Sequence, residues 1–287
     1  MDFNQSGLPN SKLVEDAFNY SRKNAQGNQK EALKSFNQQI EIIHNQQITM
    51  LDMDKEQSGM SEADYNKQKR DLEKLRDEQL KLGPALIKRE LENMFEQRRV
   101  GPAKTVVAHA DTTSHELVAA ILLIDCVRSP LDYKEVSAQF GDKVANLIAE
   151  VVHIDAYPSE RDDNIKKAKP DTKRAYESLL ITSLEQIVKQ IERTAKDNPT
   201  QKIMFPPGQE EQLYNDVKNL WGNDKKLDQR FMVAFNRASD AAASPYKLEA
   251  DPQTGALELV KGIAKKPTGP KPPKGPGGPG GIGGDVF

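Results

Sequence analysis

Along most of this chain apolar residues recur at steps of three and four, the spacing that puts them on one face of an α-helix. Between Asn28 and Met53, Leu33, Phe36, Ile40, Ile43 and Met50 follow those steps apart from a gap at Gln47. Gln57-Ser58-Gly59 breaks the pattern. Ser61 and Asp64 then form a variant capping box, and Tyr65, Leu72, Leu75 and Leu82 mark a second helix, which Gly83-Pro84 is expected to end. The spacing predicts an antiparallel helical hairpin over residues 29–85. It serves either as a cover for the next domain or as a coiled-coil dimerisation arm. Before it, residues 1–28 are polar and rich in Asn and Gln, and read as a flexible arm with one short helix near Leu13–Tyr20.

From Leu86 to Asp197 helical patterns follow one another: Leu86–Arg99, Ala103–Ala110 after a break at Gly101-Pro102, Glu116–Val127, Tyr133–Phe140, Asp142–Val152 and Thr172–Lys196. Ser129-Pro130 ends one of them, and Gly141 sits where a left-handed cap is wanted. Pro158 and Pro170 bracket a charged stretch, SERDDNIKKAK, expected as an exposed loop. The most apolar run is LVAAILLIDCV, Leu117–Val127, a helix buried on nearly all sides. Asp125 lies inside it, where a carboxylate is costly unless paired or hydrogen-bonded. Residues 198–260 hold two more helices, Glu210–Trp221 and Lys226–Ala243. Their candidate packing residues are Leu213, Val217, Leu220 and Trp221, then Leu227, Phe231, Val233 and Phe235. A β-hairpin of Tyr246–Leu248 and Ala256–Val260 closes the region.

Composition adds one boundary and several exclusions. Residues 261–287 contain nine Gly, half of the chain's 18, with six Pro, five Lys and one Asp. That segment reads as a disordered Pro/Gly/Lys tail of net charge +4, against −6 for the preceding 260 residues of a chain whose total is −2. The near-neutral sum argues against a nucleic-acid binder. No run approaches the ~18–20 apolar residues of a membrane span, and no basic-then-apolar signal opens the chain, so a cytoplasmic setting is expected. One cysteine, Cys126, excludes an internal disulfide framework and a Cys-rich zinc module, and in its apolar run it reads as an inert core thiol. Phosphate-cradling glycine loops and a nucleophile elbow are missing.

The run HELVAAILLIDCVRSPLDYKEVSAQFGDKVANLIAEVVHI resembles the HD-domain region of RelA/SpoT-type alarmone hydrolases, whose pattern is roughly VAAALLHDVVEDT, a short helix ending in Phe-Gly, and a VA-x-L-V helix. Phe140-Gly141-Asp142-Lys143-Val144-Ala145 is similar to the second part. Arg99-Val100-Gly101-Pro102 sits where the family has His-Pro, and Arg174–Lys189 is similar to its LIKLADRLHNM helix. The resemblance covers residues 86–197 and implies an HD-like helical bundle. The whole chain is thus expected to be mainly α, with an N-terminal helical hairpin and a small C-terminal β-hairpin.

The resemblance also implies where a divalent metal, such as Mn²⁺, would be held, and this chain departs from it there. The family's second His falls on Ile124, its paired Asp is kept as Asp125, its first His falls on Gly101 and its distal Asp on Glu185. The Glu-Asp pair that serves hydrolysis falls on Arg128 and Ser129. Asp125 and Glu185 are too few to anchor a hydrolytic metal, so Asp125 reads as a vestigial carboxylate, paired with Arg128 or a helix terminus. His109, Asp111, His115 and Asp155 are a second candidate metal set, if folding brings them together, and a polar, helix-capping loop is the plainer reading of the same residues. The expected function is therefore a catalytically inactive HD-like binding or regulatory module, with no cofactor and with a nucleotide or a protein as partner. A protein partner would dock on the hairpin or the Pro-rich tail. The alternatives are a divergent metal-dependent nucleotide or alarmone phosphohydrolase, using Mn²⁺, and a helical scaffold.

Overall fold

The computed structural model describes residues 2–27, 29–198, 205 and 208–261. The Pro/Gly/Lys tail expected over 261–287 lies outside them except for Lys261, which ends a strand. The chain is mainly α, with one two-stranded antiparallel sheet. In order, the helices are α1 (Lys12–Gly27), α2 (Gln29–Ser58), α3 (Glu62–Phe95), α4 (Gly101–His109), α5 (His115–Leu123), α6 (Pro130–Phe140), α7 (Asp142–Ala156), α8 (Arg161–Lys167), α9 (Pro170–Asp197), α10 (Gln209–Leu220) and α11 (Lys225–Ala241). Strands β1 (Tyr246–Ala250) and β2 (Leu257–Lys261) pair with Leu248 opposite Leu259.

The N-terminal segment is not a loose arm. Val14, Ala17, Phe18 and Ser21, one face of α1, are buried against α5, and Phe18 meets Phe3 and Phe95 edge to face. The Asn/Gln-rich outer face hides this short apolar stripe in the composition. Helix α5 has the all-round burial its sequence demands: Leu117–Leu123 are at most 1% exposed. At ~1.5–3 kcal/mol for each fully buried Leu or Ile, this one helix is a major part of the driving force for folding.

Helices α2 and α3 form the expected hairpin, turning at Gly59 with φ 65°. Ser61 caps α3 by accepting from the Asp64 amide at 3.2 Å. Gly83-Pro84, however, does not end the helix; α3 runs through both to Phe95. Gly83 is buried where a Cβ would come within 2.8 Å of the Phe36 ring, and Ile87, a turn later, is buried too, so contact with α2 holds the helix together. Pro84 lies on the exposed side, where water can replace the hydrogen bond proline cannot make. Beyond Phe95 the chain continues through a π-helical turn, Glu96–Val100, directly into α4. The break expected at Gly101-Pro102 is absent: Gly101 allows close approach of Thr182 on α9, and the Gln97 carbonyl, one π-turn before Pro102, accepts instead from Gln186 Nε2 at 3.0 Å.

Three further differences follow from local chemistry. The Glu116–Val127 helix stops at Leu123, and Ile124–Cys126 forms a 3₁₀ turn. Ser129-Pro130 begins α6 instead of ending its predecessor, because Ser129 and Asp132 make a full capping box. The charged stretch between Pro158 and Pro170 contains α8, anchored by the fully buried Ile165. Gly141 does separate α6 from α7 with a positive φ of 90°.

Two apolar clusters form the interior. One joins α1 and α4–α8, and the other joins α10, α11 and the β-hairpin. Helix α9 spans both: Ala175 and Tyr176 belong to the first, Ile181, Leu184, Val188 and Ile191 to the second. In the second cluster Leu213, Val217, Leu227, Phe231 and Phe235 are buried; Leu220 is buried too but belongs to the first cluster, and Val233 is 54% exposed.

Replacing Pro84 by Ala is expected to raise the thermal midpoint followed by circular dichroism, because an interior proline costs a helix up to ~3 kcal/mol relative to alanine. Gly83→Val is expected to lower it, by forcing Phe36 out of its seat at a cost of roughly 1–3 kcal/mol.

Candidate functional site

The kept carboxylate, Asp125, is placed by the 3₁₀ turn at the end of α5, and it is not enclosed: its side chain is 37% exposed on the wall of a cleft of about 550 Å³. The π-helical turn forms another wall. Its two consecutive arginines point to different sides, Arg98 outward and Arg99 inward. Arg128, after the 3₁₀ turn, is also exposed at the cleft, and Ile124, Val151, Val152 and Leu179 supply apolar lining.

Arg99, not Arg128, faces Asp125. Its Nε lies 3.7 Å from Asp125 Oδ2, while its Nη1 donates to the Ser21 carbonyl at 2.6 Å, to Ser21 Oγ at 2.9 Å and to Cys126 Sγ at 3.3 Å. Ser21 Oγ in turn donates to the Leu122 carbonyl at 2.6 Å. A nearly buried guanidinium thus ties α1, the π turn and the end of α5 together. Burial pushes the Cys126 thiol up despite Arg99, which keeps it a neutral core thiol. Neither Arg98 nor Arg128 makes a side-chain ion pair within 4 Å among the described residues, although the Arg128 amide donates to Asp132 Oδ2 at 2.9 Å and, with its charge, helps hold that carboxyl below its usual range.

Of the remaining candidates Asp155 lines the same cleft, and the others lie apart from it. Glu185, on α9, is paired with Arg230 of α11. His109 ends α4 and His115 begins α5, with Ser114 between them capping α5 through the Leu117 amide. The Asp111 amide donates to Asp224 Oδ2 at 2.8 Å, and its carboxylate pairs with Lys226. Asp155, at the end of α7, accepts from Tyr176 at 2.9 Å and pairs with Arg161 at 3.0 Å. Among the described residues no three His, Cys, Asp or Glu side chains are arranged to hold a metal ion. The Mn²⁺ implied by the sequence resemblance therefore does not fit the donors present. Where its ligands would converge stand an apolar side chain, Ile124, and a guanidinium, Arg99.

A second polar cluster went unnoticed in the sequence. Glu177, Asp224 and Asp228 are 0%, 1% and 3% exposed between α9 and the start of α11. Asp224 is fully engaged: it caps α11 through the Leu227 amide and accepts from Arg174 Nε at 2.9 Å. Asp228 accepts from the Gly222 amide at 2.8 Å, but its Oδ1 and both Glu177 oxygens lack partners. Burial and the neighbouring Asp228 raise the Glu177 carboxyl well above its usual range, and burial pushes Asp228 up to about 6. A protonated Glu177 donating to an ionised Asp228 satisfies both groups. The signal was present: Glu177 continues backward the three-and-four rhythm of Ile181, Leu184, Val188 and Ile191. A third group, Asp216 with Tyr176 and Arg161, joins α8, α9 and α10, and burial lifts Asp216 to about 6.

Compared with known proteins, the chain matches no family model, no curated protein and no solved structure.

Two predictions follow from these contacts. Arg99→Ala is expected to cost roughly 3–5 kcal/mol of stability, as for one partner removed from a buried charged network. Asp125→Asn is expected to cost less than ~1 kcal/mol, since the carboxylate is part-exposed and its contact long. Chemical denaturation of both variants measures the difference. For Glu177 and Asp228 the folded state holds protons more tightly than the unfolded chain. Their contribution therefore weakens stability as pH rises from the ordinary carboxylate range through the folded-state values. Glu177→Gln keeps a donor toward Asp228 without that titration. It is expected to melt higher than the natural protein near pH ~7–8, with the gain shrinking toward pH ~4–5.

Proposed function

We propose that this chain is a non-catalytic HD-like module whose arginine-lined cleft binds a phosphate-bearing ligand of the nucleotide or alarmone class. The observation that carries the reading is the pair of exposed guanidiniums without ion-pair partners, Arg98 and Arg128, on the walls of the Asp125 cleft. With Arg99 they set three positive charges against Asp125 and Asp155 in one concavity. Guanidinium forks match phosphate oxygens bidentately, and Ile124, Val151, Val152 and Leu179 offer an apolar surface for a base. The HD-like ancestry rests on the sequence resemblance over residues 86–197, and the loss of catalysis on the substitution of Ile124, Gly101, Arg128 and Ser129 for the family's reactive residues.

Calorimetric titration with GDP, GTP and guanosine tetraphosphate, with and without Mn²⁺, tests this. Binding without turnover is expected, tightening with phosphate count. The double substitution Arg98→Glu with Arg128→Glu is expected to weaken it at least ~100-fold, about 2.8 kcal/mol. Turnover in the presence of Mn²⁺ that is lost in Asp125→Asn would instead establish the divergent phosphohydrolase, and no binding by any of the three would remove the ligand class.

A further inference from the structure

The hairpin of α2 and α3 carries more apolar surface than its own seam uses. Along α2 the positions turned to α3 are Leu33, Asn37, Ile40, His44, Gln47 and Leu51, all buried or half-buried. Their spacing of 4-3-4-3-4 is a coiled-coil seam. A second row lies one position earlier: Ala32, Phe36, Gln39, Ile43, Gln46, Met50, Met53 and Gln57, spaced 4-3-4-3-4-3-4. It carries no charge, whereas Lys34, Glu41 and Asp52 lie on the other side of the helix. Ile43, Met50 and Met53 in this row are 48%, 70% and 54% exposed.

Helix α3 repeats the feature. Leu75, Leu82 and Leu86 are 44%, 57% and 49% exposed, rotated from its seam of Tyr65, Leu72, Arg76, Gly83 and Ile87 in the same sense as the second row of α2. Because the two helices run antiparallel, equal rotations from their seams put both sets on the same side of the hairpin. One face therefore presents apolar residues from both helices to solvent.

We propose that this face is the contact between two copies of the chain, joining two hairpins into a four-helix bundle with the α2 helices antiparallel around residues 43–46. A seven-residue repeat in a helix face is satisfied by another helix with the same repeat. A two-fold contact sets each patch against itself, and the α2 row is suited to this. Read backward its spacing is unchanged, so Gln39 falls opposite Met50 and Ile43 opposite Gln46, while Phe36, whose ring is seated on Gly83 of its own hairpin, adds little to the contact. No like charges meet within it. The row spans 26 residues, Ala32–Gln57, or roughly 39 Å at 1.5 Å per residue. The α3 leucines span 12 residues, Leu75–Leu86, or roughly 18 Å, so at about 10 Å per helix the two rows give roughly 570 Å² per copy, or about 1,100 Å² in all, just above the lower bound of a specific interface.

Sedimentation of the full chain over a concentration series is expected to give a dimer of the 32.0 kDa polypeptide. Ile43→Glu with Met50→Glu is expected to weaken dimerisation at least ~100-fold with the helical signal retained. Val233→Glu, at an exposed apolar site outside the hairpin, is expected to leave the dimer intact. Gln46→Cys gives a second readout that does not burden folding. The one native cysteine, Cys126, is buried, so a short bis-maleimide is expected to join two copies through position 46. A chain that stays monomeric at every concentration, or a dimer that neither responds to the glutamates nor cross-links through position 46, overturns the proposal.

Discussion

The structure around the cleft depends on one buried guanidinium. Arg99 is almost fully enclosed, and a charge there persists only if acceptors surround it. They come from two segments far apart in the chain, Ser21 and Asn24 on α1 and Asp125 and Cys126 after α5, while the π turn presents the arginine itself. Its contacts hold α1, the π turn and the end of α5 together beside the cleft, while the neighbouring Arg98 faces solvent.

This bears on the proposed ligand reading. A metal site and an arginine site make opposite demands on a carboxylate: the first needs several convergent donors and no nearby cation, the second tolerates one acid balanced by several guanidiniums. Asp125 stands in the second setting. Its neighbours, Ile124 and Arg99, fill the space that additional ligands would need. The acidic cluster of Glu177, Asp224 and Asp228 answers a different need. It joins α9 to the capped start of α11 through the Arg174 contact with Asp224.

Much of the secondary structure was legible from periodicity. The hairpin, the buried α5, the Ser61 cap, the Gly141 break and the C-terminal β-hairpin all lie where the spacing of apolar and turn residues predicts. Errors fell where a local breaker was overruled by a neighbour. Gly83-Pro84 reads as a stop, but Phe36 seats against that glycine. SERDDNIKKAK reads as a loop, but Ile165 gives it one buried anchor. Of the site, Asp125 stood out as an acid in an apolar run, and Glu177 would have done so by its place on the apolar rhythm of α9. Arg99 could not, because nothing in EQRRV distinguishes the buried arginine from the exposed one.

By itself, the sequence determined where most of the helices lie and which of their faces are apolar. These follow from local rules: side-chain volume, hydrophobicity and the 3.6-residue turn act within a few positions. Only the tertiary structure decided that Arg99 pairs with Asp125, that Glu185 goes instead to Arg230, and that Asp111 and Asp155 part company. Charge pairing depends on distances between helices, which are set by how buried faces interlock across many residues, and no short stretch of sequence encodes those distances.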